Sequence, residues 1–136
     1  MGRKVCLIVV IILLIALGGC ASTSLSSNVK LGKADAAGKT FDLAKGGTLE
    51  ITLEGNPTTG YTWNQVSNND GVLKPAGAYT YQQNPAPAGM VGVGGKFTFN
   101  FKAIGVGATQ LKFSYQRPWE KNVPPIESFE LNINVK

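Results

Sequence analysis

Beyond residue 40 the chain alternates apolar and polar positions with a period of two. In residues 48–53, Leu49, Ile51 and Leu53 share one side, while Thr48, Glu50, Thr52 and Glu54 share the other. Successive side chains of an extended backbone point to opposite faces, so this pattern predicts a half-buried strand. The same signal recurs at 61–66 through Tyr61 and Trp63, and at 96–103 through Phe97, Phe99 and Phe101. It returns at 109–115 through Leu111, Phe113 and Tyr115, and at 129–135 through Phe129, Leu131, Ile133 and Val135. Shorter candidates lie at 40–43, 71–74 and 78–83. No segment after residue 20 carries a helical period, and glycine or proline punctuates nearly every gap. Seven or eight short antiparallel strands in about a hundred residues predict an all-β sandwich, with an immunoglobulin-like arrangement leading. Trp63, on a regular strand face, is expected in its core.

The first twenty residues break this pattern. Arg3 and Lys4 precede an apolar run from Val5 to Leu17, and Leu17-Gly18-Gly19-Cys20 closes it. Such a run is shorter than the roughly 20 residues that span a bilayer core. It reads as an export leader over residues 1–19, with Cys20 as the acceptor of a lipid. Diacylglyceryl and N-acyl chains together exceed the two signals that stable anchoring needs. Cys20 then tethers the chain to a membrane, and Ala21 after it favours an outer membrane facing the periplasm. Cleavage near Ala21 without lipidation, giving a secreted or cell-surface chain, is the alternative. Residues 20–39 hold four serines and little that is apolar, and are expected to be a flexible tether. The domain is then expected over 40–136.

Composition narrows the chemistry. With Cys6 lost in the leader and Cys20 acylated, no disulfide framework is possible, and the apolar core must hold the domain. Removing Arg3 and Lys4 lowers the formal charge from +5 to +3, and the remaining basic residues are scattered. No nucleic-acid surface is indicated. The chain has no histidine, which excludes imidazole-based triads and dyads and, without free thiols, the common zinc and copper sites. No cofactor and no enzymatic activity are expected, and the domain is expected to be a monomer.

Three loops remain that strand formation does not use. Asn56-Pro57-Thr58-Thr59-Gly60-Tyr61 lies between two strong strands. Pro57 fixes its own φ and biases Asn56 toward extended backbone, and Gly60 tolerates a positive φ. Thr58 and Thr59 then stand at an exposed tip with hydroxyls free to hydrogen-bond. Gly92-Val93-Gly94-Gly95 follows a proline-rich stretch containing Met90, and its missing side chains let backbone approach a partner. Arg117-Pro118-Trp119 follows a strand ending at Tyr115, among polar and proline residues that favour an exposed Trp119. Arg and Trp are the residue types most often found as interface hot spots.

In order and in context, the three motifs resemble the loops of chagasin-type inhibitors of papain-like cysteine peptidases, here in a bacterial lipoprotein form. The resemblance runs from about Phe41 to the C-terminus. It implies an immunoglobulin-like fold and a reversible, tight-binding inhibitor whose three loops fill the active-site cleft. The first loop would approach the target's catalytic cysteine and histidine, and Arg117-Pro118-Trp119 would pack on the primed side. The competing class is a non-inhibitory surface lipoprotein binding a receptor or glycan. The two separate on whether the loops lie together at one end of the sandwich.

Overall fold

The computed structural model describes residues 25–136; the leader over 1–19 and the proposed acylation at Cys20 lie outside the described residues. In chain order the elements are β1 (Ser26–Gly32), α1 (Lys33–Ala36), β2 (Thr40–Gly55), β3 (Thr62–Ser67), β4 (Leu73–Pro75), β5 (Thr80–Gln83), β6 (Gly95–Ala103), β7 (Gly107–Gln116) and β8 (Glu127–Val135). The hydrogen-bonded order is β3-β7-β8-β2-β6-β4, with β1 on β2 and β5 on β6.

One long strand turns this ladder into two layers. Thr40–Leu43 of β2 pairs with Asn132–Val135 of β8, whereas Thr48–Gly55 pairs with β6. Between them the chain bends at Gly46, whose φ is 83°, and at Gly47. A Cβ on Gly47 would stand 2.7 Å from the Ser27 carbonyl and 2.8 Å from that of Ala44, so only glycine fits the bend. Layer one is β3, β7, β8 and the first half of β2. Layer two is β1, the second half of β2, β6, β4 and β5.

The predicted apolar faces meet between the layers. Phe113 of β7 lies 4.8 Å from the Phe99 ring and 6.3 Å from that of Phe101, both on β6. Leu49, Ile51, Leu53, Leu111, Leu131 and Ile133 are all buried. Trp63 is 1 % exposed and stacks on Tyr115 at 5.0 Å. Fully burying side chains of this size contributes about 1.5–3 kcal/mol each, which lets the domain hold together without a cross-link.

Two expectations are corrected. The strands are not all antiparallel, because β1 and β8 both run parallel to their stretches of β2. Alternation reports which face a residue takes and carries no information on the direction of a neighbour. The tether expected over 20–39 is also folded from Ser26 onward. Val29 and Leu31 of β1 pack against the core, and Ala36 of α1 is fully buried. The Gly38 N–H donates to the Glu130 carbonyl at 2.8 Å, fixing the segment to β8.

The ends of the sandwich are distinct. At one, β2 finishes at Gly55 opposite the start of β6 at Gly95, and Thr62 pairs with Gln116. At the other, Ser26, Leu43, Val135 and Gly107 form a row of paired residues across four strands.

Candidate functional site

All three loops leave from the Gly55 end. The first is shaped by its own side chains. Asn56 is extended (φ −134°, ψ 95°), and Pro57–Thr59 forms a single 3-10 turn. The Asn56 side-chain oxygen accepts from the Thr58 N–H at 3.1 Å and from the Thr58 hydroxyl at 2.6 Å. Thr59 Oγ1 donates to the Asn56 carbonyl at 2.6 Å. Gly60 closes the turn at φ 85°, its N–H donating to the Pro57 carbonyl at 2.9 Å. The tip is therefore ordered before any partner arrives, with Thr58 and Thr59 exposed.

The second loop is bound to the first. Asn56 Nδ2 donates to the Gly92 carbonyl at 2.6 Å, so one side chain fixes both loops. Gly92 has φ 73°, and the Asn84 N–H reaches the Gly94 carbonyl at 2.9 Å to close the loop's base. A Cβ on Gly94 would lie 3.2 Å from the Gly55 carbonyl, so the glycine lets the two backbones touch. Gly95 differs from its neighbours. It is buried at the start of β6, where a Cβ would meet the Gln82 carbonyl and stand 2.6 Å from Tyr81 Oη. Its place in the loop motif reflects close strand packing, not a surface offered to a partner. Val93 is half-buried, while Met90 and Val91 are exposed.

The third loop folds back on the first. Arg117 Nε donates to the Thr59 carbonyl at 3.0 Å, and the guanidinium lies 4.5 Å over the Tyr61 ring. Glu120 accepts from Arg117 Nη1 at 3.0 Å, and the Glu120 N–H donates to the Arg117 carbonyl at 3.2 Å. Pro118 and Trp119 are exposed, Trp119 by 66 %. The indole rests against the bare face of Gly60, where a Cβ would be 2.8 Å from Cζ2 and closer still to Cη2. Gly60 thus serves twice, as a left-handed turn residue and as the seat for Trp119.

Two supporting residues were not singled out from sequence. Tyr115 Oη accepts the Asn56 N–H at 2.7 Å, and its ring lies 5.5 Å from that of Tyr61. Alternation placed Tyr115 in the core, and its hydroxyl at the end of β7 gave no further sign. Glu120 lies three residues after Arg117, a spacing that allows an ion pair once a turn is assumed.

The loop end carries apolar side chains outward: Met90, Val91, Trp119, Val123 and Ile126 are all more than half exposed. Among the described residues no three His, Cys, Asp or Glu side chains come together to hold a metal. Such an end presents shape, backbone groups and apolar contact, which is what docking into a cleft uses.

Comparison with known proteins agrees with this geometry. Residues 42–133 match the family model described as chagasin family peptidase inhibitor I42. Amoebiasin-2 of Entamoeba histolytica is 30 % identical over 122 residues, covering 86 % of this chain and 92 % of the relative. Amoebiasin-1 of the same organism is 35 % identical over 97 residues, covering 71 % and 90 %. The crystal structure of a cysteine protease inhibitor from Entamoeba histolytica superposes with a TM-score of 0.71 at 28 % identity, covering 80 % of this chain and 96 % of that one. The chain belongs to the chagasin family of peptidase inhibitors.

Proposed function

We propose that this chain is a reversible, tight-binding inhibitor of papain-like cysteine peptidases, and that its three loops enter the active-site cleft as a wedge. The observation that carries the reading is the adjacency of the loops. Asn56 joins the first to the second, and Arg117 and Trp119 join the third to the first. A cleft is long and narrow, so only loops held side by side fill it together.

Inhibition needs no chemical step from this protein. Thr58, Thr59 and the neighbouring backbone would occupy the centre of the cleft, with Gly92, Val93 and Gly94 on one flank and Pro118 and Trp119 on the other. Substrate and water are excluded by occupancy. A standard interface of this kind buries about 1,600 Å² in total. Loops already ordered by their own hydrogen bonds lose little conformational entropy on docking, which favours slow dissociation. Trp119 supplies a rigid, exposed anchor of the type that dominates binding energy.

We also propose that the chain is exported and acylated at Cys20, which would place the inhibitor at a cell-envelope membrane. The pattern Leu17-Gly18-Gly19-Cys20 after an apolar run supports this. The inhibitor reading is tested by titrating papain with residues 25–136 and following a fluorogenic substrate. The expected result is reversible loss of activity that reaches completion at one inhibitor per active site. No loss at micromolar concentrations against papain and related peptidases would reject it.

A further inference from the structure

We propose that the end of the sandwich opposite the loops docks on the lipid surface to which Cys20 is anchored, so that the domain stands upright with its loops facing away from the membrane. This rests on the acylation reading above. Because β1 begins at Ser26, only five residue steps lead from Cys20 to Leu25. At about 3.6 Å per residue, they reach no more than about 18 Å. The start of β1 must therefore lie close to the bilayer.

The fold decides which end that is. Ser26 pairs with Leu43, Leu43 with Val135, and Val135 with Gly107, a row at the end remote from the loops. With neighbouring strands about 4.8 Å apart, the β6–β7 connection lies no more than about 14 Å from the point where the chain leaves toward Cys20. Its tip exposes two large apolar side chains, Ile104 by 44 % and Val106 by 67 %. The Lys45 N–H donates to the Lys136 carbonyl, so both lysines sit at the same end. Lys136 pairs with Asp42, while Lys45 is exposed and available to anionic headgroups. Asp70, next to the Gly71 that touches Gly105, is the opposing charge nearby.

Reach alone would let the domain lie on its side. An apolar tip beside the tether, with a lysine at its edge, favours contact through this end, since acyl anchoring holds it at the interface continuously. Nine residue steps along β7, from Gly107 to Gln116, then lift the loops about 30 Å from that end. The inhibitor would capture peptidases arriving from the aqueous side and leave its loops unobstructed by its own membrane.

The test uses the full mature lipoprotein in vesicles of phosphatidylethanolamine and phosphatidylglycerol. Val106→Cys, or Ile104→Cys if the first misfolds, carries an environment-sensitive fluorophore, and Val91→Cys carries it at the loop end. Nitroxides at headgroup depth should quench the probe at 106 or 104 strongly and leave the probe at 91 unaffected. Mass measurement of the same sample reports the acyl chains. An acylated chain with an unquenched probe at 106 and 104 overturns the docking and leaves the anchor standing. Equal quenching at 91 overturns the upright orientation. A mature chain lacking acyl groups removes the anchor and this proposal with it, leaving peptidase inhibition untouched.

Discussion

Gly60→Ala isolates the contact between the first and third loops. At φ 85° an alanine is strained by about 1–2 kcal/mol, and its Cβ would overlap the Trp119 indole. The strain lowers folding stability by about that amount, measurable as a shift in the denaturant midpoint. The overlap acts on binding, because the indole must leave its seat. If Trp119 is a hot spot, Trp119→Ala alone weakens inhibition by about 2 kcal/mol, a rise of about 30-fold in the inhibition constant, with the fold intact. We predict that Gly60→Ala in the wild-type background costs binding at least as much. In the Trp119→Ala background the same change should cost less than about 1 kcal/mol, since no indole remains to displace. The coupling in this double-mutant cycle should then exceed about 1 kcal/mol. The assay is the inhibition constant of the four proteins against papain. Additive costs, or wild-type inhibition by Gly60→Ala, would refute the argument that Gly60 seats Trp119.

Further predictions concern the supports of the loops and the domain boundary. Asn56→Ala deletes the bonds to Thr58 and Gly92 together, and we expect inhibition to weaken at least about 10-fold through lost preorganisation; an unchanged dissociation rate would show that the loops are ordered by other means. Tyr115→Phe removes the acceptor of the Asn56 N–H and should cost about 1 kcal/mol of stability in denaturant melts, with the ring stacking kept. A chain starting at Thr40 loses β1 and α1, hence Val29, Leu31 and Ala36, and should be less stable than residues 25–136 by a few kcal/mol; equal midpoints would return that segment to a dispensable tether. The Lys136 ammonium, by hydrogen bonding, holds the Asp42 carboxyl below its ordinary value of 3.8. Its stabilising contribution is therefore present above that value and lost as pH falls through the lowered one. Asp42→Asn should flatten this acid-side decline, and an identical decline in both proteins would remove the pair from the account.

What alternation conveyed well was burial. Each expected strand has its counterpart, and the side chains assigned inward at Leu49, Ile51, Phe97, Phe113 and Leu131 are inward. The expected strands at 40–43 and 48–53 proved to be one bent strand serving both layers, because the pattern does not show whether an intervening Lys45-Gly46-Gly47 ends a strand or redirects it. β1 escaped notice for a compositional reason. Val29 and Leu31 supply a single repeat of alternation between Asn28, Lys30 and Gly32, and an edge strand half covered by its neighbour needs no more.

For the site, the motifs marked the loops, and local chemistry at Pro57 and Gly60 foretold their backbone. Their mutual contacts were not readable. The bond from Asn56 to Gly92 joins residues 36 apart, and that from Arg117 to Thr59 joins residues 58 apart. Such pairings exist only once β2, β6 and β7 bring their ends together. The buried Gly95 makes the same point in reverse, since a motif residue can be kept for packing beneath the surface it helps to form.

As a wedge, the three loops would occupy the peptidase cleft itself. The most direct measurement is binding of residues 25–136 to papain, followed by surface-immobilised kinetics, with the cleft either free or filled by a covalent substrate-like inhibitor on the catalytic cysteine. Tight binding to the free enzyme and none to the filled one is the expected result. Equal binding to both would place the contact outside the cleft and contradict the wedge.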